Sequence, residues 1–465
     1  MIERLIRAHA SQLQGIYDAL PNPIQNVLTS TRGLFLTRNR YAPEMYRLLR
    51  ELRGHENWNA EQLAACRLRA LQQIVENARR TTPFYAAYPR IELRRPEDLQ
   101  ALPVLTREIV RQNADRLVSR SIPRHQRVRV STTGTTGASL KIAYTARSAR
   151  RNWAFRMRQW AWAGVEPRAP RITLFSSRIA PVRRTQPPFW TYNLPERQVL
   201  LSIFHLSSEA APHYLAFLRR QAGKVLEGFP SVLGIVADFI LQSGEPIPMR
   251  VVFTDGEPLY PFLRKKIETA FQARIYDSYG NTELCGLIQE CEHGQMHLIP
   301  EYAFLEILDE NNRPVPVGVE GYLVWTGYIN EAMPLIRYRI GDRGCWQNAS
   351  RCACGRAFPL VVPTITRESD LLQSADGRIY SPRALNQVLK KAASFRFCQF
   401  VQDQPGRVTV RAVPNNGKAS ADLAMVRSEL QDLLGPQMQV NAELAPAPIV
   451  RAGGKTPLIV RQPFP

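Results

Sequence analysis

Apolar residues recur at helical spacing through the first hundred residues. In 60–80, Leu63, Leu68, Leu71, Ile74 and Val75 fall on one face of a 3.6-residue period, which predicts an amphipathic helix packed by that face. From about Arg171 the pattern shortens to β-branched and aromatic runs (RITLF, VLLSIF, KVLEGF, RVVFT, ARIYD) separated by the helical stretches SVLGIVADFILQSG and LYPFLRKKIETAF. That alternation predicts α/β layering. After Glu301 the strand candidates YAFLEIL, GYLVWTG and LIRYRI follow one another around the turn-rich DENNRPVPVG, which predicts a β-rich subdomain. TRESDLLQSADGR reads as a connector, because a helix (SPRALNQVLKKAA), a strand (RVTVRAV) and a second helix (DLAMVRSELQDLL) beyond it make one compact unit. The expected fold is α/β: a large N-terminal domain, residues 1–368, helical over about 1–100 and followed by layered α/β and β-rich subdomains, plus a small α+β C-terminal domain, 369–465. No internal repeat is present, so a solenoid is excluded.

Composition narrows the class. The 465 residues exceed what one core usually serves, and 45% hydrophobic with 22% charged residues is the balance of a globular chain. The net charge of +21 raises the question of nucleic acid, but the arginines are dispersed, with no polybasic tail, basic helical stripe or finger spacing. An anionic substrate or cofactor is the better expectation, and no nucleic-acid partner is expected. Seven cysteines, an odd number, and a start (MIERLIRAHASQLQG) without the apolar core of a signal peptide predict a reducing, cytoplasmic setting. Candidate apolar stretches are broken by Arg, Lys or Pro before the roughly 18 residues a bilayer needs, so no membrane partner is expected either.

The chemistry-bearing segments come in order. Ser131-Thr-Thr-Gly-Thr-Thr-Gly137, with Lys141 after it, follows the strand-like RVRV. Hydroxyls interleaved with glycines suit a phosphate cradle: Gly134 and Gly137 let successive amides turn toward an anion, and Thr132, Thr133, Thr135 and Thr136 add donors. A Walker A loop is excluded, because Ala138 stands where its lysine must be. Gly256-Glu257-Pro258, Asp277-Ser278-Tyr279-Gly-Asn-Thr282-Glu283, Arg339-Ile-Gly-Asp342, Arg367 and Gly454-Lys455 follow downstream. GGKT is no half-Walker motif either, since the earlier glycine would fall at Ile449.

In this order the segments resemble the adenylate-forming superfamily of acyl-CoA synthetases, adenylation domains and luciferases, and within it the phenylacetate-CoA ligase branch, which includes capsular-polysaccharide-type proteins and some amide synthetases. The resemblance covers nearly the whole chain, and LPNPIQN, FYAAYPR and LPVLTRE carry it into the N-terminal part. It implies ATP with Mg²⁺, a carboxylic acid activated as its acyl-AMP, and transfer to an acceptor, CoA or an amine. An aromatic acid is expected from the branch, with Phe229 and Pro230 bordering its pocket or, equally simply, serving as core at a strand end. By position, Thr132 to Gly137 and Lys141 would surround the β- and γ-phosphates. Gly256, Glu257 and Pro258 would line the adenine, with Asp277 and Ser278 nearby and Tyr279 stacked on the base. Thr282 would hold a phosphate and Glu283 would hold Mg²⁺, a hard cation that takes carboxylate and phosphate oxygens together. Asp342 would accept both ribose hydroxyls, Arg367 would contact ribose or phosphate, and Lys455 would reach the α-phosphate and acyl oxygen. The pattern departs at the hinge: Ser369 stands where an Asp or Lys is usual, with the acid one place later at Asp370.

A second constellation is Cys291-Glu-His293-Gly-Gln-Met-His297 with Cys352-Ala-Cys354-Gly. Three sulfurs and one imidazole from two short clusters suit a tetrahedral structural zinc, with Cys291, His297, Cys352 and Cys354 as ligands and His293 as the alternate. A zinc site in this region of the branch agrees. Cys285 sits two residues after Glu283, but no basic partner is identifiable by spacing, so a nucleophilic thiol is not expected. Cys345 and Cys66 read as packing residues.

Overall fold

The computed structural model describes residues 16–131, 140–175, 179–181, 184–206, 209–347, 352–364, 372–375, 379–380, 385, 389, 394–414, 419–436, 438–450 and 456–461. The N-terminal part is helical as the periodicity predicts: α1 (Asn22–Arg40), α2 (Pro43–Gly54) and α3 (Ala60–Thr81). A reciprocal cap starts α3, with Asn59 accepting from the Gln62 N–H and Gln62 from the Asn59 N–H. Its inward face buries Leu63, Leu71, Ile74, Val75 and Ala78, while Leu68 is half-buried.

A hairpin of β1 (Arg127–Ser131) and β2 (Lys141–Thr145) precedes α4 (Ala146–Trp162). An eight-stranded sheet then takes the centre, built from β3 (Arg171–Leu174), β4 (Trp190–Asn193), β5 (Gln198–Leu201), β6 (Val225–Gly228), β7 (Val251–Asp255), β8 (Ile275–Gly280), β9 (Leu287–Glu290) and β10 (Met296–Leu298). Its order is β10-β9-β8-β7-β6-β3-β5-β4, parallel from β8 through β5 and antiparallel at both margins. Every residue of β3 and β6 is buried, the apolar Ile172, Leu174, Val225 and Leu226 on one hand and the mutually bonded Arg171, Thr173 and Glu227 on the other. Helices α5 (Ala211–Arg219), α6 (Pro230–Gln242) and α7 (Pro261–Phe271) share one core with Ile172, Leu226, Val252 and Ile275. Val251 and Phe253 point to the other face, where Trp160 of α4 stacks on Phe253 at 5.2 Å.

The run of strands after Glu301 becomes β11 (Ala303–Leu308), β12 (Gly321–Gly327), β13 (Tyr338–Trp346) and β14 (Val361–Thr364), an antiparallel succession joined by Leu105–Thr106 alongside β13. A further sheet, order β17-β16-β15-β18, is made of β15 (Phe395–Gln404), β16 (Arg407–Pro414), β17 (Gln439–Leu444) and β18 (Ile459–Arg461). With α8 (Ala419–Leu434) it closes on its own core of Phe400, Val408, Val410, Val426, Leu430, Val440 and Ile459. The expected boundary at 368/369 lies outside the described residues, as does most of the helix expected over 381–393.

Two features escaped the sequence pattern. Several arginines are structural: Arg158 pairs with Glu301, Arg171 with Glu196 and Glu227, and Arg337 with Glu306, all buried. A buried charge without its partner costs several kcal/mol, so these pairs are mutually required. The other is α1, whose inward side is polar. Asn22 and Ser30 donate to the Trp190 and Tyr192 carbonyls, and Asn26 and Ser30 accept from the Tyr192 and Leu194 amides, all at or next to the marginal strand β4. Gly33 permits this approach, since a Cβ there would sit 1.7 Å from Asn193 Oδ1.

Candidate functional site

In an open parallel sheet the crevice for a ligand lies beyond the carboxyl ends of the strands, where neighbouring strands send the chain in opposite directions. Here those neighbours are β3 and β6: from β3 the chain runs on to β5 at one side, and from β6 to β7 and β8 at the other. Phe229-Pro230 follows β6, Gly256-Glu257-Pro258 follows β7, and Asn281-Thr282-Glu283 follows β8. Segments far apart in sequence thus come to one edge because each sits immediately after a parallel strand.

Phe229 is 6% exposed and meets Phe175, at the end of β3, edge-on at 4.9 Å. Pro230 is the first residue of α6, where its missing N–H costs nothing. Gly256 turns with φ +74°, a conformation that favours glycine. One oxygen of Glu257 accepts the Ser231 N–H (3.1 Å) in the first turn of α6, and the other accepts the Thr456 N–H (3.3 Å). A carboxylate at a helix N-terminus is favoured by the orphan amides and the dipole there. Thr456 follows Lys455 in the chain, so Glu257 ties the C-terminal sheet unit to the crevice. Arg396 of β15 makes a second tie, donating to the Leu206 carbonyl (3.3 Å) with its guanidinium 4.5 Å from the Phe239 ring centre in α6.

The loop after β8 is shaped by Asn281, whose Oδ1 accepts the Cys285 N–H (2.9 Å). Sequence reasoning gave Asn281 no role, although an Asn two residues before an acid in a tight turn is a usable signal. Thr282 is exposed and Glu283 is buried, with the Tyr338 hydroxyl donating to its carboxylate at 3.4 Å. Tyr338 and Asp342 share the inward face of β13 by strand alternation, and Asp342 accepts the Tyr279 hydroxyl at 2.7 Å. Thus β13 carries Asp342 itself and reaches Glu283 through Tyr338, while Tyr279 ties Asp342 back to β8. Gly327 lets β12 press against this loop, since a Cβ there would lie 2.6 Å from the Cys285 Cα.

Two expected adenine contacts look different in the structure. The Tyr279 ring is 4% exposed and stacked on Trp325 (5.9 Å, 20° between planes). Its place in the interior is set by that indole and by Asp342, and burial together with Asp342 holds its phenol well above the usual pKa. Asp277 is buried within the sheet, accepting the Thr254 hydroxyl at 2.6 Å, while its own amide donates to Glu290. Burial pushes its carboxyl up to about 7. Ser278 lies half-buried on the opposite face of β8. Lys141 is exposed at the start of β2, opposite Ser131. Thr132, Thr133, Gly134, Thr135, Thr136 and Gly137, which connect β1 to β2, lie outside the described residues, and so do Arg367, Ser369 and Lys455. Cys285 is buried, and desolvation keeps it a protonated thiol, which excludes a ready nucleophile.

The second constellation converges. The ligand atoms of Cys291, His297, Cys352 and Cys354 lie within 4.8 Å of one another, joining the β9–β10 hairpin to the segment before β14. A tetrahedral Zn²⁺ with bonds of about 2.3 Å to sulfur and about 2.0 Å to nitrogen sets ligand edges of roughly 3.5–3.8 Å. The Cys291–Cys352 sulfurs are 3.6 Å apart, and Cys354 Sγ is 3.4 Å from His297 Nε2. His297 Nδ1 faces the Phe358 carbonyl at 3.0 Å, which places the proton there and leaves the Nε2 lone pair for a metal. Amides of His293 and Cys354 point at the Cys291 and Cys352 sulfurs, the donors that steady thiolates. Burial, together with the neighbouring Cys352 and Cys354 sulfurs, pushes the Cys291 thiol up to about 12, so a cation is what would draw off its proton. The donor set fits zinc. His293 offers its main-chain amide to the Cys291 sulfur, and its side chain is exposed.

No protein-family model matches the chain. It is 22% identical to Protein CapK of Staphylococcus aureus over 417 residues, 87% of this chain and 89% of that one. It is 25% identical to the phenylacetate-coenzyme A ligase of Thermus thermophilus over 358 residues, 71% of this chain and 74% of that one. Its fold is that of 2-hydroxyisobutyryl-CoA ligase, crystallised in the postadenylation state with R3-HIB-AMP, at a TM-score of 0.68 and 19% identity over 88% of this chain and 91% of that one. Relatives that span most of the chain, that shared fold and motifs gathered at the carboxyl edge of one parallel sheet agree with each other. Along most of its length the chain resembles the phenylacetate-CoA ligase-like branch of the adenylate-forming superfamily.

Proposed function

We propose that this protein is an ATP-dependent ligase that converts a carboxylic acid to its acyl-adenylate and passes the acyl group to CoA. The observation that carries the reading is the Thr456 amide on Glu257, because it brings the chain beside Lys455 to the crevice, at the edge from which the Glu283 loop also leaves the sheet. In the first step a substrate carboxylate oxygen attacks the α-phosphorus of ATP in line and pyrophosphate leaves. Lys455 and the threonine loop stabilise the charge that builds there. Glu283 would hold Mg²⁺, which supplies positive charge against the phosphates. Asp342 would accept the ribose hydroxyls and Arg367 would contact ribose or phosphate. In the second step the CoA thiol sulfur bonds to the acyl carbon and AMP leaves, after the unit comprising 369–465 turns to withdraw Lys455. Phe175 and Phe229 form an apolar wall at the strand ends, which favours an aromatic acid. The Cys291, His297, Cys352 and Cys354 cluster would hold a structural zinc away from the reaction.

ATP–pyrophosphate exchange with a panel of aryl and alkyl acids tests this. Exchange that depends on an aryl acid, and that falls at least about a hundredfold in Lys455→Ala while ATP still binds, is expected. No exchange with any acid, or unchanged exchange in Lys455→Ala, would overturn it. Mass spectrometry of products formed with CoA or amines separates a thioester from an amide; an amide would overturn the acceptor.

A further inference from the structure

The outward side of α1 is as apolar as its inward side is polar. Ile24 (45% exposed), Val27 (63%), Leu28 (44%), Leu34 (49%) and Phe35 (56%) fall within one stripe of the helix at i, i+3, i+4, i+10 and i+11. Gln25 and Gly33, with the bonding Asn22, Asn26 and Ser30, face the protein. A soluble surface helix places these two classes the other way round, so the stripe is built for a neighbour. Leu194 (72% exposed) and Tyr192 extend it beside the helix, on the marginal strand and the turn after it. Because α1 covers that margin of the central sheet, a flat surface can reach it.

We infer that α1 docks this protein in the interface of an anionic lipid surface, with the Ile24, Val27, Leu28, Leu34 and Phe35 stripe at the acyl boundary. Charge selects this occupant. Residues 22–40 contain no Asp or Glu, Arg32 is exposed beside the stripe and Arg38 at its C-terminal end, and the whole chain carries +21. Arginine at the rim of an apolar stripe keeps its head among lipid phosphates while its stem stays in the apolar layer. A second copy fits less well. Five half-exposed side chains offer on the order of 400 Å², about half of the roughly 800 Å² each partner contributes to a stable interface. Two chains of charge +21 also repel. The sequence led to no membrane expectation because only spanning segments carry a strong signal, and among the described residues no helix is long and apolar enough to cross.

Flotation of the full chain with phosphatidylcholine vesicles, with and without phosphatidylglycerol, tests the inference. Partition is expected to rise at least about tenfold with phosphatidylglycerol and to fall with added salt. The variant Val27→Ser/Leu34→Ser/Phe35→Ser should lose at least about tenfold while its unfolding midpoint is kept, and Arg32→Glu/Arg38→Glu should lose the phosphatidylglycerol dependence. Equal partition onto both vesicles, or a serine variant that binds like the parent, overturns the inference. So does a dimer in sedimentation velocity that the serine variant abolishes, since that assigns the stripe to a second copy.

Discussion

Glu257→Gln isolates the tie between the C-terminal unit and the crevice. The wild-type carboxylate takes the Ser231 amide on one oxygen and the Thr456 amide on the other. Glutamine keeps one acceptor, turns the other into a donor that opposes an N–H, and removes the charge at the α6 N-terminus. A hydrogen bond to a charged group contributes about 1.5–3 kcal/mol, and the Thr456 bond exists only while the C-terminal unit lies in this orientation. Losing it should depopulate the orientation by about 10- to 150-fold. Adenylate formation, read as kcat of ATP–pyrophosphate exchange at saturating ATP, should drop by that factor. Thioester formation from supplied acyl-adenylate and CoA should be unchanged or faster, because that step uses the other orientation. An equal fall in both half-reactions would mean general damage and refute the tie. A higher KM for ATP at unchanged kcat would refute it in another way, by making Glu257 a nucleotide contact.

Elemental analysis of the purified chain should find about one zinc per molecule, and Cys352→Ser should lose it together with part of the roughly 10–16 kcal/mol that structural zinc contributes in small domains; zinc-free wild-type protein would sink the site. Asp277 gives a pH signature. Its folded carboxyl titrates at about 7 against an ordinary 3.8, so the folded state keeps a proton that the unfolded chain has lost between these values. The associated stability is full below the lower value and is lost as pH rises to the upper, by at most about 4 kcal/mol. Asp277→Asn should therefore gain stability over wild type in urea unfolding, about 1–2 kcal/mol at pH 5 and up to about 4 at pH 8; a gain of the same size at both pH values would contradict the assignment.

The strands of the central sheet were legible because short runs rich in β-branched and aromatic residues alternate with helical stretches along the chain. The run KVLEGF became Val225–Gly228 and ARIYD lies across Ile275–Gly280. Motif order located the crevice, since Phe229-Pro230, Gly256-Glu257-Pro258 and Asn281-Thr282-Glu283 each stand directly after such a strand. Side-chain destinations were not legible to the same degree. Tyr279 and Asp277 occupy the positions expected, but which face each takes is fixed by Trp325 and Thr254, residues distant in sequence from both. The convergence of Cys291, His297, Cys352 and Cys354 was legible, because three cysteines and a histidine in two short clusters leave few tetrahedral combinations. His297 was preferred to His293 from the sequence, and the β9–β10 hairpin turns His297 inward and leaves His293 on the rim.

The polar side of α1 has a consequence for the sheet it borders. The marginal strand β4 pairs with β5 on one side only, and an unpaired strand margin is a template for pairing with another chain. Asn22, Asn26 and Ser30 take up the outward main-chain groups of Trp190 and Tyr192, so the helix occupies the place a ninth strand would fill. Removing residues 16–40 would do more than delete a surface helix. It would leave Trp190–Asn193 open to strand-to-strand polymerisation, and a shortened chain should be lost to aggregates before any loss of catalysis could be measured.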